Sequence, residues 1–195
     1  MCGGSSRTVG MREKRVKLAD YGRVHTDDRR LVPVASVPGR KKQRLHWAGA
    51  QAFEKLRRAA MQAGYDLRIV SGWRPHRWRD REHYNRTLIT RYGSVKEGRR
   101  WLAYDSPHET GLVFDLGTHG LSASSKSAGY QRTLPVYHWL VANAAKYGIT
   151  PYKLEPWHWE VKVPRWKWQS PIAVNTKILA LMAVGFSTAW WIYAR

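Results

Sequence analysis

Apolar positions recur at helical spacing from Trp47 to Ala63, where Ala50, Phe53, Leu56 and Ala60 share a face and Gly64 offers a stop. Leu67, Ile69 and Val70 make Tyr65 to Trp73 a predicted strand. Residues 76–92 look helical but very polar. Leu112 to Leu116 is a short apolar run suited to a buried strand. Helical spacing returns from Pro135 to Tyr147 through Val136, Leu140, Val141 and Ala144, with Pro135 early and Gly148 past the end. Tyr152 to Val163 alternates with aromatics and predicts another strand. This order predicts an α+β unit over residues 45–163, a small and mostly antiparallel sheet with helices packed on one side. No internal repeat is visible.

The two ends read differently. Residues 1–44 hold no long periodic apolar segment and contain Pro33, Pro38 and several Gly and Ser, which predicts an extended arm with a short strand near Leu31–Val37. No apolar run follows the first charges, so no signal peptide is expected. Residues 164–195 form a linker followed by Ile178–Ala194, 17 residues without a charge, flanked by Lys177 and Arg195. As a helix that run spans roughly 25 Å, the lower edge for crossing a bilayer, and Trp190, Trp191 and Tyr193 cluster at one end as interfacial aromatics do. A membrane anchor and a hydrophobic helix docked on protein, either this domain or a phage-particle subunit, are the two readings of residues 171–195.

Charge narrows the setting. The 195 residues carry 34 Lys+Arg against 14 Asp+Glu, a formal charge of +20. The arm (net +8) is denser in charge than the middle (net +8) or the tail (net +4), and it contains the Arg40-Lys41-Lys42 cluster. Such an excess suits a polyanionic surrounding: nucleic acid, an anionic membrane or a cell envelope. A solvated tail explains the arm equally well. With Cys2 the single cysteine, a disulfide framework and multi-cysteine metal sites are excluded.

Potential metal ligands concentrate at two places, Ser106-Pro-His108-Glu-Thr-Gly111-Leu-Val-Phe-Asp115 and Glu155-Pro-Trp157-His158-Trp159-Glu160. Zinc catalysis needs three N/O ligands and an open position for water. A turn at Gly111 would bring His108 and Asp115 together, and His158 would complete the set from a neighbouring strand. Glu155 would then stand near the open position, where a carboxylate can take a proton from water. Each residue alone has a plainer reading: His108 capping a turn, Asp115 paired to an arginine, Trp157-His158-Trp159 in a core strand.

Together with Ser71-Gly72-Trp73-Arg74, these blocks resemble the zinc D-alanyl-D-alanine carboxypeptidase family, which includes VanY-type enzymes and phage L-alanyl-D-glutamate endolysins. The likeness spans about Trp47 to Val163. It implies zinc held by His108, Asp115 and His158, Glu155 as catalytic base, and Arg74 as the cation that holds substrate or developing negative charge. Ser106 would line the substrate site and Trp157 would shape it. Two departures bear on substrate preference: Arg79 stands where many relatives carry glutamine, and Glu160-Val-Lys-Val replaces the common Tyr-Val-Gly ending. The resemblance implies a zinc peptidase acting on bacterial peptidoglycan, and the expected lack of a signal peptide, the compact single domain and the strong basicity favour the endolysin type over the carboxypeptidase type. The competing account is a structural virion or nucleic-acid-associated protein that keeps a peptidase-like fold. Basic residues ahead of the apolar tail would place a simply anchored domain on the cytoplasmic side, away from the wall, so attachment to a membrane or a virion is the expected location.

Overall fold

The structure, a computed structural model, describes residues 16–171. In chain order its helices and strands are α1 (Leu18–Tyr21), β1 (Leu31–Pro33), β2 (Arg44–His46), α2 (Trp47–Gln62), β3 (Ile69–Ser71), α3 (Arg81–Tyr92), α4 (Val95–Gly98), β4 (Val113–Leu116), α5 (Ala128–Gln131), α6 (Pro135–Asn143), β5 (Ile149–Tyr152), β6 (Glu155–Val161) and α7 (Arg165–Gln169). A four-stranded sheet in the order β3-β4-β6-β5, antiparallel throughout, forms the centre, and β1-β2 is a separate hairpin.

Strand alternation decides what each face of the sheet carries. Phe114 and Trp159 are cross-strand partners, and the rings that meet them come from helices: Phe53 of α2 lies 5.1 Å from Phe114, and Tyr137 of α6 lies 6.3 Å from Trp159. Asp115 and His158 are the next cross-strand pair. They therefore face away from those helices. The expected α+β architecture, with α2 and α6 on one side, is what the chain adopts.

Local chemistry fixes the element ends. The His46 imidazole caps α2 by accepting the Ala48 N–H at 3.2 Å through Nδ1. The predicted helix over 76–92 begins only at Arg81, because Asp80 accepts the His83 N–H at 2.7 Å and starts the first turn there. The strand foreseen over 65–73 is regular only at Ile69–Ser71, and β5 was not foreseen: Pro151 within it reads as a strand breaker.

The chain from Val16 to Gln43 does not stand away from the domain. Val16, Val24 and Leu31 are buried in the main core, and residues 35–37 hydrogen-bond along Ile69 at the edge of β3. Its expected strand is the three-residue β1. At the other end, α7 buries Trp168 against Tyr21 and His46. Among the described residues no helix is long and apolar enough to cross a membrane. The expected hydrophobic helix Ile178–Ala194, and with it the attachment segment, lies outside the described residues.

Candidate metal centre and active-site cleft

Asp115 and His158 are brought together by sheet register: they sit directly opposite each other on β4 and β6, and His158 Nδ1 lies 3.0 Å from Asp115 Oδ1. His108 arrives from a 3-10 turn, Pro107–Thr110, just ahead of β4. The chain must reverse between the two. Gly111 does this at φ +70°, in the left-handed region, and a Cβ there would meet the His46 backbone nitrogen at 2.7 Å. His108 Nε2 ends 3.5 Å from Asp115 Oδ1. Ligand atoms of His108, Asp115 and His158 all lie within 4.8 Å of one another, and all three residues are buried.

Hydrogen bonds orient each imidazole. His108 Nδ1–H donates to the Gly72 carbonyl at 2.7 Å, which leaves the Nε2 lone pair aimed at the centre. Gly72 is needed at that spot because a Cβ would stand 2.5 Å from the Arg44 carbonyl. His158 presents Nδ1 to the centre and Nε2 to Glu160 Oε1, 3.4 Å away. Glu160 is itself buried, and its other oxygen accepts the Val16 N–H at 2.6 Å.

The electrostatics follow from this packing. Burial alone would push His158 down, but the carboxylates of Asp115 and Glu160 prevail and raise it to about 9. Burial alone would raise Asp115, yet the imidazoles of His108 and His158 hold it well below the ordinary carboxylate range. His108, fully enclosed, is lowered by desolvation. Two imidazoles and one carboxylate converging in a buried pocket form a donor set that suits zinc.

A cleft of about 510 Å³ opens over the triad. Its lining includes Arg74, Ser106, Tyr152 and Glu155. Glu155 Oε2 lies 3.6 Å from His158 Nδ1, although the two are three positions apart on a strand. The reason is an irregularity: the pairing of β5 with β6 shifts register between Pro151 and Tyr152, so Glu155 leaves strict alternation. Arg74 is exposed beside Trp73, whose indole N–H donates to the Val24 carbonyl at 3.1 Å and anchors the loop. Trp157 does not join this group. It is buried and is not among the residues that line the cleft.

Two carboxylates were not singled out from sequence. Glu160 was legible in principle, because a residue two positions from His158 shares its strand face. Glu109 was legible only as the Ser106-x-x-Glu109 capping box, in which it accepts the Ser106 N–H at 2.9 Å; its other partners are remote, Arg23 Nε at 2.6 Å and His76 Nδ1 at 3.1 Å. His76 thus braces the turn that carries His108. His119 packs edge-on against Tyr65.

Residues 42–164 match the family described as VanY, D-alanyl-D-alanine carboxypeptidase. YodJ of Bacillus subtilis (strain 168), which carries the name of a carboxypeptidase, is 29% identical over 60% of this chain and 46% of its own length. The chain thus spans about half the length of that curated relative. Among solved structures, the LdcB LD-carboxypeptidase superposes with a TM-score of 0.55 at 25% identity, covering 72% of this chain and 71% of that one. A Zn(II) complex of the vancomycin resistance D,D-pentapeptidase VanY is similar at a TM-score of 0.46 and 20% identity, over 71% and 82%. The family match runs from Lys42 to Pro164 and takes in every residue that meets in the cleft, so this chain belongs to the VanY D-alanyl-D-alanine carboxypeptidase family.

Proposed function

We propose that residues 45–163 form a zinc-dependent carboxypeptidase that removes a C-terminal D-amino acid from the stem peptide of bacterial peptidoglycan. The observation that carries this reading is the convergence of His108, Asp115 and His158 beneath a cleft that Glu155 and Arg74 also line. Family membership and the carboxypeptidase names of the relatives favour an exopeptidase over the endolysin type. Neither those relatives nor the described residues support the phage-particle, membrane or nucleic-acid associations left open by the sequence, and these form no part of the reading.

His108 Nε2, Asp115 and His158 Nδ1 would hold the metal. Bound there, zinc supplies Lewis acidity that polarises a peptide carbonyl and lowers the pKa of water toward ~7. Glu155 reaches the same space from the edge of the cleft and is the general base. It takes a proton as the water oxygen bonds to the carbonyl carbon. It returns that proton to the amine nitrogen as the C–N bond breaks. Arg74 presents a planar cation to the substrate's terminal carboxylate, a task lysine would do poorly because it lacks the bidentate fork. Ser106 forms part of the adjoining wall.

The test is release of D-alanine from a synthetic stem pentapeptide ending in D-Ala-D-Ala, followed by mass spectrometry. Glu155→Gln should lower turnover by about 10²–10⁴-fold while the protein still binds one zinc by elemental analysis. Zinc-loaded wild type that cleaves no stem peptide would overturn the proposal.

A further inference from the structure

The cleft's far wall is built by a part of the chain that the proposed chemistry does not use. Trp78, Tyr84 and Leu88 form a second small core, with Tyr92, Val95, Leu102 and Tyr104 packed around it. Gly98 seats α4 directly on Leu88, where a Cβ would approach the leucine side chain to 2.6 Å. This core holds two stretches at the cleft: Arg77 before α3, and Arg99-Arg100-Trp101 after α4. Both stretches are exposed.

The charge on that wall is largely unopposed. Arg100 pairs with Glu97 at 3.0 Å, and the Trp101 indole N–H donates to the same carboxylate at 3.3 Å. Arg77 lies over the Trp78 ring at 5.1 Å, and neither it nor Arg99 makes an ion pair with a carboxylate among the described residues. The acids lining the cleft are committed elsewhere: Glu109 to Arg23 and His76, Asp115 to the imidazoles, Glu155 beside His158. A ligand in the cleft therefore meets a positive wall beyond the position of Arg74.

We propose that Arg77, Arg99 and Arg100 form a second anion subsite. It receives a free carboxylate borne by a residue of the stem peptide upstream of the scissile bond. The consequence is selection by charge. A third residue that is a diamino dicarboxylic acid, such as meso-diaminopimelate, is favoured, whereas a lysine there brings only an ammonium into an arginine-lined wall. The half-exposed Trp101 offers an apolar surface along the same path. This inference rests on the peptidase reading above.

An isosteric pair of substrates separates charge from shape: one pentapeptide with meso-diaminopimelate at the third position, and the same peptide with that side-chain carboxylate amidated. For zinc-loaded wild type, kcat/KM should be about tenfold higher for the free acid, and the ratio should shrink as salt rises. In the double variant Arg77→Ala/Arg99→Ala the ratio should fall to within about twofold. Lysine at both positions should keep most of it, since the charge remains. Equal cleavage of the two peptides by wild type would overturn the subsite and leave the peptidase reading standing. Cleavage of neither would overturn both. Equal cleavage combined with strong inhibition by poly(glycerol phosphate) would overturn the subsite and assign these arginines to a phosphodiester polymer instead.

Discussion

Glu160 serves two donors at once, the His158 ring and the Val16 backbone, from a position with almost no solvent contact. Replacing it with glutamine keeps the volume but leaves one oxygen where there were two acceptors, so a buried NH₂ must face another donor. Glu160→Gln should weaken zinc binding by about 10–100-fold, read by competition with a chromophoric chelator. His46 supports a second prediction. Burial, with Arg30 adding to it, lowers its imidazole to about 4 from an ordinary 6.5. Between those values the unfolded chain takes up the proton and the folded one does not. Its contribution is therefore complete above about pH 6.5 and is lost as pH falls toward 4, by roughly 3 kcal/mol at most. Asparagine can accept the same cap bond without titrating. Denaturant unfolding of His46→Asn should show a shallower loss of stability over that window than wild type, and parallel curves would refute the assignment. Among single residues, His108, Asp115 and His158 each had a plainer reading, and only the resemblance joined them; the structure brings their donor atoms within 4.8 Å of one another.

The elements show why a turn can matter more than the strands it joins. His108 and Asp115 are seven positions apart, and their meeting depends on the 3-10 turn, the left-handed Gly111 and the immediate start of β4. That much could be anticipated from a glycine between His108 and Asp115. The bulge that brings Glu155 to His158 could not be, because it arises from pairing with β5, itself hidden by Pro151. Gly111→Ala should cost more than about 2 kcal/mol, combining left-handed strain with the clash at His46. Its zinc affinity should fall further than its stability alone predicts. A variant with a wild-type denaturation midpoint would show that the backbone there relaxes freely. Elements set by periodicity, such as α2, were legible almost to their ends. Those set by one capping side chain, such as the late start of α3 at Asp80, were not.

At the scale of the molecule, both ends of the described chain converge on the turn that carries His108. Trp168 of α7 donates its indole N–H to the Thr110 carbonyl at 3.0 Å, stacks on His46 and meets Tyr21 edge-on, while Arg30 donates to its carbonyl at 3.0 Å. From the other end, Val16 reaches Glu160, Arg23 reaches Glu109, and Tyr21 donates its hydroxyl to the Val163 carbonyl at 2.8 Å. The lack of a periodic apolar segment, with Pro33, Pro38 and a dense basic charge, suggested an extended arm before residue 45. Scattered apolar residues such as Val16, Val24 and Leu31 carry no periodicity, so their burial is visible only once the sheet exists. The strapping predicts that damage at α7 is felt at the turn that carries His108. Trp168→Ala removes a large buried side chain and should destabilise the fold by about 3–5 kcal/mol. The Thr110 carbonyl loses its partner as well, so the variant should also bind zinc more weakly at temperatures where it remains folded. Trp168→Phe restores most of the packing but not the N–H. It should recover most of the stability while zinc affinity stays reduced. Full recovery of both in the phenylalanine variant would mean that α7 acts through packing alone and that the indole bond does not hold the His108 turn in place.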